Sequence, residues 1–241
     1  LLLGFEALLR WDHPERGMVS PGVLIPWAEA HGHIDALNAW VLREACRQAA
    51  QWPSGIQMAV NCSLVQLRHR QASAATRVAL AESGLNPDRL TIEVTESAVA
   101  DERTAPDLHT LATLGVHLAV DDVGTSWSTL ENFRRFSIET AKIDRTFIAA
   151  LEPEEGMNRA IVQAIVQVSQ SLALSTVAEG VEKETQVAAL RAIGADVAQG
   201  YFFAPPLAAD TATALALSEP RPVFALTADT ESDNRLTAPR A

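Results

Sequence analysis

Seven times along this chain a short run with strand-like alternation is followed by a longer run with helical spacing. The short runs are residues 2–9, 57–61, 90–95, 117–121, 140–143, 175–179 and 197–201. Period two marks a strand and a period near 3.6 marks a helix. Leu108, Leu111 and Leu114 share one helical face; Ile161, Ile165, Val168 and Leu172 share another; Val187, Leu190 and Ile193 share a third. Gly84, Gly115 and Gly194 each follow a helical run and precede a strand, where glycine supplies the left-handed residue that stops a helix. Strand and helix in strict alternation predict an α/β fold with a parallel sheet covered by helices. An open doubly wound sheet usually carries a glycine-rich phosphate loop after its first strand. No GxGxxG and no GxxxxGK[ST] occurs here, so a closed (β/α) barrel is expected, and 241 residues suit one such domain.

The formal net charge of −11 argues against a protein that grips a nucleic-acid polymer by its phosphates. It leaves room for a small anionic ligand, because bound cations can reverse the local sign. Cys46 and Cys62 fit no zinc or CxxC spacing, which suits a reduced, cytoplasmic setting. No apolar run reaches the roughly 18–20 residues of a membrane span, and no signal peptide is evident. The barrel is expected over residues 1–207. Residues 208–241, rich in Ala, Thr, Pro and acids, read as a C-terminal extension whose last ~20 residues are poorly ordered. The six histidines form no metal-binding spacing. The tryptophans read as packing residues, Trp127 excepted.

Strand parity selects a site. Alternate side chains of a strand face opposite sides, and the large apolar set (Met58 and Val60; Leu90, Ile92 and Val94; Leu118 and Val120) should face the helices. The opposite parity then faces the barrel axis. Its last members on successive strands are Glu6, Asn61, Glu93, Asp121, Lys142, Glu179 and Gln199. Each has a bland reading alone: a carboxylate at a strand end caps the next helix, Asp121–Asp122 forms an Asx turn, and Lys142 snorkels to solvent. Seven together are another matter. Clustered buried carboxylates are costly unless cations or protons neutralise them, and the C-terminal ends of barrel strands are where barrel sites are built. The oxygen set Glu6, Asn61, Glu93 and Asp121 suits a hard cation such as Mg²⁺ or Mn²⁺. Asp121 and Asp122, with Glu179 nearby, suit a second ion, and two ions can clamp an in-line phosphoryl displacement. Arg10 has the parity of Glu6 and is placed to meet a phosphate oxygen.

The motifs around these positions resemble those of EAL domains, the bacterial cyclic di-GMP phosphodiesterases. Glu6-Ala7-Leu8-Leu9-Arg10-Trp11 is similar to EALxRW, Asn61-Cys62-Ser63 to NxS, and Glu93-Val94-Thr95-Glu96 to ExTE. Asp121-Asp122-Val123-Gly124-Thr125 is similar to DDFGT, Lys142-Ile143-Asp144-Arg145 to KIDR, Glu179-Gly180-Val181-Glu182 to EGVE, and Gln199-Gly200-Tyr201 to QGY. The resemblance implies a TIM-like barrel that opens cyclic di-GMP to linear pGpG with Mg²⁺ or Mn²⁺, two ions per site. It implies Glu6, Asn61, Glu93 and Asp121 as ligands of one ion, Asp121 bridging, and Asp122 toward the second. It implies Glu179 as general base or holder of the attacking water, and Lys142 as the residue that orients that water. Arg10 and Gln199 fall on the substrate side; Glu96, Glu182 and Asp144 support the site. It also implies a possible homodimer and, in a longer protein, an upstream diguanylate-cyclase-type or sensor domain, with membrane tethering of that protein left open. The alternative is a catalytically silent cyclic di-GMP receptor or a protein-interaction module.

Two departures stand out. Ser126 occupies a position that is glycine in the resembled loop, and Leu24 one that is often Phe. The chain also starts almost at the EAL strand, so the barrel is expected to lack its first N-terminal strand here and to expose an edge.

Overall fold

The computed structural model describes residues 1–124, 130–151 and 156–218. Its strands are β1 Gly4–Ala7, β2 Trp11–His13, β3 Gly17–Val19, β4 Gln57–Asn61, β5 Leu90–Thr95, β6 His117–Val123, β7 Thr140–Ile143, β8 Ser175–Ala178 and β9 Val197–Ala198. Its α-helices are α1 Pro21–Ala30, α2 Ile34–Ala49, α3 Leu64–Arg68, α4 Ala72–Ser83, α5 Glu96–Ala100, α6 Ala105–Thr113, α7 Leu130–Arg135, α8 Arg145–Ala149, α9 Met157–Ser171, α10 Glu184–Ile193 and α11 Ala209–Leu217.

Seven strands form one sheet in the order β1-β4-β5-β6-β7-β8-β9, every pair parallel. The hairpin β2–β3 stands apart as a small antiparallel pair. This is the expected α/β architecture: a curled half-barrel, its helices following the strands. Among the described residues no ladder joins β1 to β9. Side chains cross that seam instead, as shown below.

Parity behaves as expected. Met58, Val60, Leu90, Ile92, Val94, Leu118 and Val120 are buried against the helices in one core cluster. Ile143, Ile148, Val162, Val166 and Leu190 form a second cluster under the later strands. The helical spacing read over residues 161–172 produces α9, but its buried face is Val162, Val166 and Ser169; Ile161, Ile165 and Leu172 are half-buried and Val168 is exposed. Gly84 and Gly194 take the left-handed conformation that ends α4 and α10.

Several boundaries differ from expectation. Strand β1 stops at Ala7 rather than residue 9, because the chain departs there toward the β2–β3 hairpin. Strands β8 and β9 end at Ala178 and Ala198, leaving Glu179 and Gln199 on the loops just beyond. Strand β6 runs two residues longer than expected and carries a register shift between Val120 and Val123. Such a bulge places an extra residue in one strand and re-aims its side chains. The segment after residue 207 begins with α11, which buries Ala212 and Ala216 and whose Thr213 hydroxyl accepts from Trp52 Nε1 at 2.9 Å. The expectation of disorder in the last ~20 residues falls outside the described residues. Trp52 is a packing residue as expected, but Trp11, Trp27 and Trp40 are exposed. Trp27 stacks on His31 and His33, with centroids 4.5 and 5.4 Å away, so its apolar face is covered locally rather than by the core.

Candidate active site

The bland reading of the strand-end residues can be checked against the caps. Helix α3 is capped by Ser63, whose Oγ accepts from Val65 N at 3.1 Å, and α5 by Thr95, whose Oγ1 accepts from Ala98 N at 3.3 Å. Both caps lie two residues past the strand-end polar residue. Asn61 and Glu93 are therefore not occupied as N-caps. Lys142 does not snorkel: its side chain is 2% exposed.

Lys142 Nζ is the centre of the site. It lies 2.6 Å from Glu179 Oε1, 2.7 Å from Glu93 Oε2, 3.4 Å from Asp121 Oδ1 and 3.7 Å from Glu6 Oε2. Glu6 is in turn held on both oxygens. Asn61 Nδ2 donates to Oε1 at 2.7 Å and Gln199 Nε2 to Oε2 at 2.6 Å. All seven residues selected by parity thus converge on one network. The Gln199–Glu6 bond joins the first and last strands of the sheet, bridging the seam that no backbone ladder closes.

One ammonium faces four carboxylates. Burial pushes the Glu93 carboxyl up to about 8 despite the neighbouring Lys142, with Glu6 adding to the rise. Burial likewise raises Glu179 to about 7, against the pull of Lys142. Burial alone would depress the Lys142 amine, but Glu93, Glu6, Glu179 and Asp121 outweigh it and raise it well above its usual value. The lysine stays charged while two of its partners are poised near neutrality.

The bulge in β6 arranges a second group. Asp122 adopts φ +58°, and its N–H donates to Asp121 Oδ1 at 3.0 Å. Aspartate tolerates the left-handed region better than most residues. Burial and the adjacent Asp121 raise the Asp122 carboxyl, which shares a hydrogen bond with Asp144. Although burial opposes it, hydrogen bonds from Thr146 and Asp122 hold Asp144 below its usual value. Asp144 is also the N-cap of α8, accepting from Thr146 N at 2.9 Å.

The loops carrying Glu179 and Gln199 interlock. Val181 N donates to Gln199 O at 3.0 Å, and Phe202 N to Val181 O at 2.9 Å. A Cβ on Gly200 would meet Val181 O at 2.2 Å, so only glycine permits this approach.

The remaining expected residues follow strands β1, β5 and β8. Arg10 is exposed, and its Nη1 donates to Leu9 O at 2.8 Å. Glu96 is buried as the first residue of α5. Glu182 is exposed, its N–H donating to Gln186 Oε1 at 2.8 Å ahead of α10. Ser126 and Trp127 lie outside the described residues. Two features escaped the sequence reading. The bulge had as its only signal the Asp121–Asp122 pair before Gly124. Parity aims Lys142 at the axis, but its central place among four carboxylates depends on side chains from four other segments, which no local pattern encodes.

The donor set fits hard cations. It is all oxygen, and its negative charge exceeds what Lys142 neutralises; burial first, and the neighbouring carboxylates second, drive Glu93 and Glu179 toward their protonated forms. Among the described residues no three carboxylates, cysteines or histidines are spaced to hold a metal ion as they stand. The carboxylates are instead drawn in around the ammonium.

Comparison with known proteins agrees with this geometry. The EAL domain family profile matches residues 1–206. The bifunctional diguanylate cyclase/cyclic di-GMP phosphodiesterase MucR of Pseudomonas aeruginosa is 40% identical over 215 residues, 87% of this chain and 31% of that protein. Cyclic di-GMP phosphodiesterase NbdA of the same organism is 41% identical over 208 residues, 84% of this chain and 26% of that protein. The chain therefore spans about a third or less of these relatives. Among solved structures, the MucR phosphodiesterase in its c-di-GMP complex superposes with a TM-score of 0.82 at 38% identity, covering 87% of each chain. Klebsiella pneumoniae BlrP1 in a calcium/cy-diGMP complex gives a TM-score of 0.73 at 31% identity, covering 85% of this chain and 51% of that one. With its strand-end network, its sheet order and its sequence all in agreement, this chain belongs to the EAL domain family.

Proposed function

We propose that the chain is a cation-dependent phosphodiesterase that hydrolyses cyclic di-GMP to linear pGpG. The observation that carries this reading is the Lys142 ammonium with four carboxylates within 3.7 Å, one of them, Glu179, raised to about 7. A general base works best when its pKa lies near the operating pH. Glu179 takes a proton from the attacking water while Lys142, 2.6 Å away, orients that water and offsets negative charge developing on the phosphate. The water oxygen bonds to phosphorus, the bond from phosphorus to the ribose 3′ oxygen breaks, and that oxygen takes a proton from solvent water and leaves as a hydroxyl. The product keeps a 5′ phosphate.

Glu6, Asn61, Glu93 and Asp121 would hold one Mg²⁺ or Mn²⁺, and Asp121 with Asp122 a second. When bound, the cations supply Lewis acidity toward the phosphate and lower the pKa of coordinated water. Arg10, exposed at the rim, meets a phosphate oxygen; Gln199 keeps Glu6 in place across the seam. Glu96, Glu182 and Asp144 support the surrounding loops. A homodimer, and an upstream diguanylate-cyclase-type or sensor domain, belong to the same proposal. MucR, which is both cyclase and phosphodiesterase by name, supports the latter. Among the described residues no helix is long and apolar enough to cross a membrane.

The test is incubation of the purified chain with cyclic di-GMP, with Mn²⁺ or with EDTA, and chromatographic separation of the products. Release of pGpG only with Mn²⁺ is expected. Tight binding of cyclic di-GMP without turnover would overturn the enzymatic reading and leave a receptor; a folded chain that binds no nucleotide would leave an interaction module.

A further inference from the structure

Beneath Asn61 lies a buried polar bracket that the reaction itself does not use. Asn38 of α2 donates from Nδ2 to the main-chain carbonyl of Asn61 at 3.3 Å and also to Gln66 Oε1 of α3. That same Gln66 oxygen accepts from Ser63 N at 3.2 Å, completing the capping box of α3. Between these two points, Cys62 N donates to Glu93 O at 2.8 Å. Three successive residues at the end of strand β4, Asn61, Cys62 and Ser63, are thus pinned by three separate partners. Farther out, Ser63 Oγ donates to Glu29 of α1.

The amide orientations are determined by chemistry. Ser63 N–H requires an acceptor, so Gln66 must present Oε1; Oε1 and the Asn61 carbonyl both require a donor, so Asn38 must present Nδ2. This leaves Asn38 Oδ1 and Gln66 Nε2 buried without hydrogen-bonding partners among the described residues. Asn38 is 6% exposed and Gln66 fully buried. A buried orphan polar atom is destabilising, and here two orphans accompany the two main-chain groups that the pair satisfies. The pair satisfies Ser63 N and the Asn61 carbonyl but leaves two atoms of its own unpaired, so stability alone does not account for it.

We infer that Asn38 and Gln66 are positioning residues for Asn61. They fix its backbone so that its side chain, which donates to Glu6, is held in place. The inference rests on the reading of Asn61 as a cation ligand. Groups that orient a ligand typically govern metal affinity 10–100-fold without touching the ion.

The test is Mn²⁺ affinity by titration calorimetry, with thermal melting of the same samples, for the unaltered chain, Asn38→Leu, Gln66→Met, Asn61→Ala and the double variant Asn38→Leu/Asn61→Ala. Both bracket variants should bind Mn²⁺ about 10–100-fold more weakly. Their cation-free melting temperatures should fall by no more than a few degrees, since each change leaves one bracket partner unpaired but also removes one orphan atom. Adding Asn38→Leu to Asn61→Ala should weaken binding no further, because the effect runs through Asn61. Unaltered affinity in folded Asn38→Leu or Gln66→Met overturns the inference and leaves the proposed function standing, as does an additive double variant. Absence of Mn²⁺ binding by the unaltered chain overturns both. Should Asn38→Leu fail to fold, Gln66→Met decides by the same criteria. Failure of both to fold overturns the inference, because the pair would then serve stability.

Discussion

Two sets of carboxylates in this fold have opposite balances of charge. At the mouth, four carboxylates share the single ammonium of Lys142. On the outer flank, Asp101 alone receives two guanidinium groups, Arg68 at 2.6 Å and Arg103 at 2.8 Å, while Glu102 is met by Arg135 at 2.6 Å. Hydrogen bonds from Arg103, joined by Arg68, hold the Asp101 carboxyl well below the usual range. Burial drives Glu93 the other way, to about 8. The difference is not in the residue types. The flank is charge-sufficient and solvated, so its pairs contribute little. The mouth is buried and short of positive charge, a state that folding alone would not favour and that a bound cation would relieve.

The largest effect is expected where the comparison is sharpest. Glu179→Gln should lower turnover of cyclic di-GMP about 10²–10⁴-fold, the range for loss of a general base, with melting at pH 8 unchanged or higher. Steady-state kinetics and calorimetry on one preparation would read both; loss of activity together with loss of fold would make Glu179 a structural residue. Lys142→Met should cost about 10²–10³-fold in turnover. It should also destabilise the chain by about 3–5 kcal/mol at pH 8, because it strands buried carboxylates.

The third prediction concerns pH. The folded-state values of Glu93 and Glu179, about 8 and about 7, lie above those of the unfolded chain. Between about pH 4.3 and 8 the folded state therefore holds more protons than the unfolded one, so the contribution of these groups to stability falls as pH rises through that window. Asp101 has the opposite sign: its contribution is present above the ordinary carboxylate value and is lost only as pH falls below it. Cation-free protein should melt roughly 5–10 °C lower at pH 8 than at pH 5, and Glu93→Gln should flatten that slope. An unchanged slope in Glu93→Gln would remove Glu93 as its source. The smallest effect belongs to the flank. Arg103→Ala should leave turnover and melting temperature where they are, Asp101 keeping Arg68.

Much of this centre was legible because parity is a local property. A strand buried on one face by Leu90, Ile92 and Val94 has no choice but to aim Glu93 the other way, and the same holds for Asn61 and Lys142. The sheet order followed from repetition of the strand–helix unit. What escaped was whatever depends on contacts distant in sequence. The bulge that turns Asp122 depends on the pairing of β6 with β7. The seam bond joins residues 193 positions apart. The Asn38–Gln66 bracket joins two helices, each of which reads as ordinary by its own periodicity.

The claim that the mouth is short of positive charge is tested most directly by melting the chain at pH 8 with and without Mn²⁺, beside Asp121→Asn and Arg103→Ala. Ligand at about a hundred times its dissociation constant stabilises by about 2.7 kcal/mol. The expected result is a rise of roughly 5–10 °C in the unaltered chain and in Arg103→Ala, and none in Asp121→Asn. A melting temperature indifferent to Mn²⁺ in the unaltered chain, or an equal rise in Asp121→Asn, would contradict it.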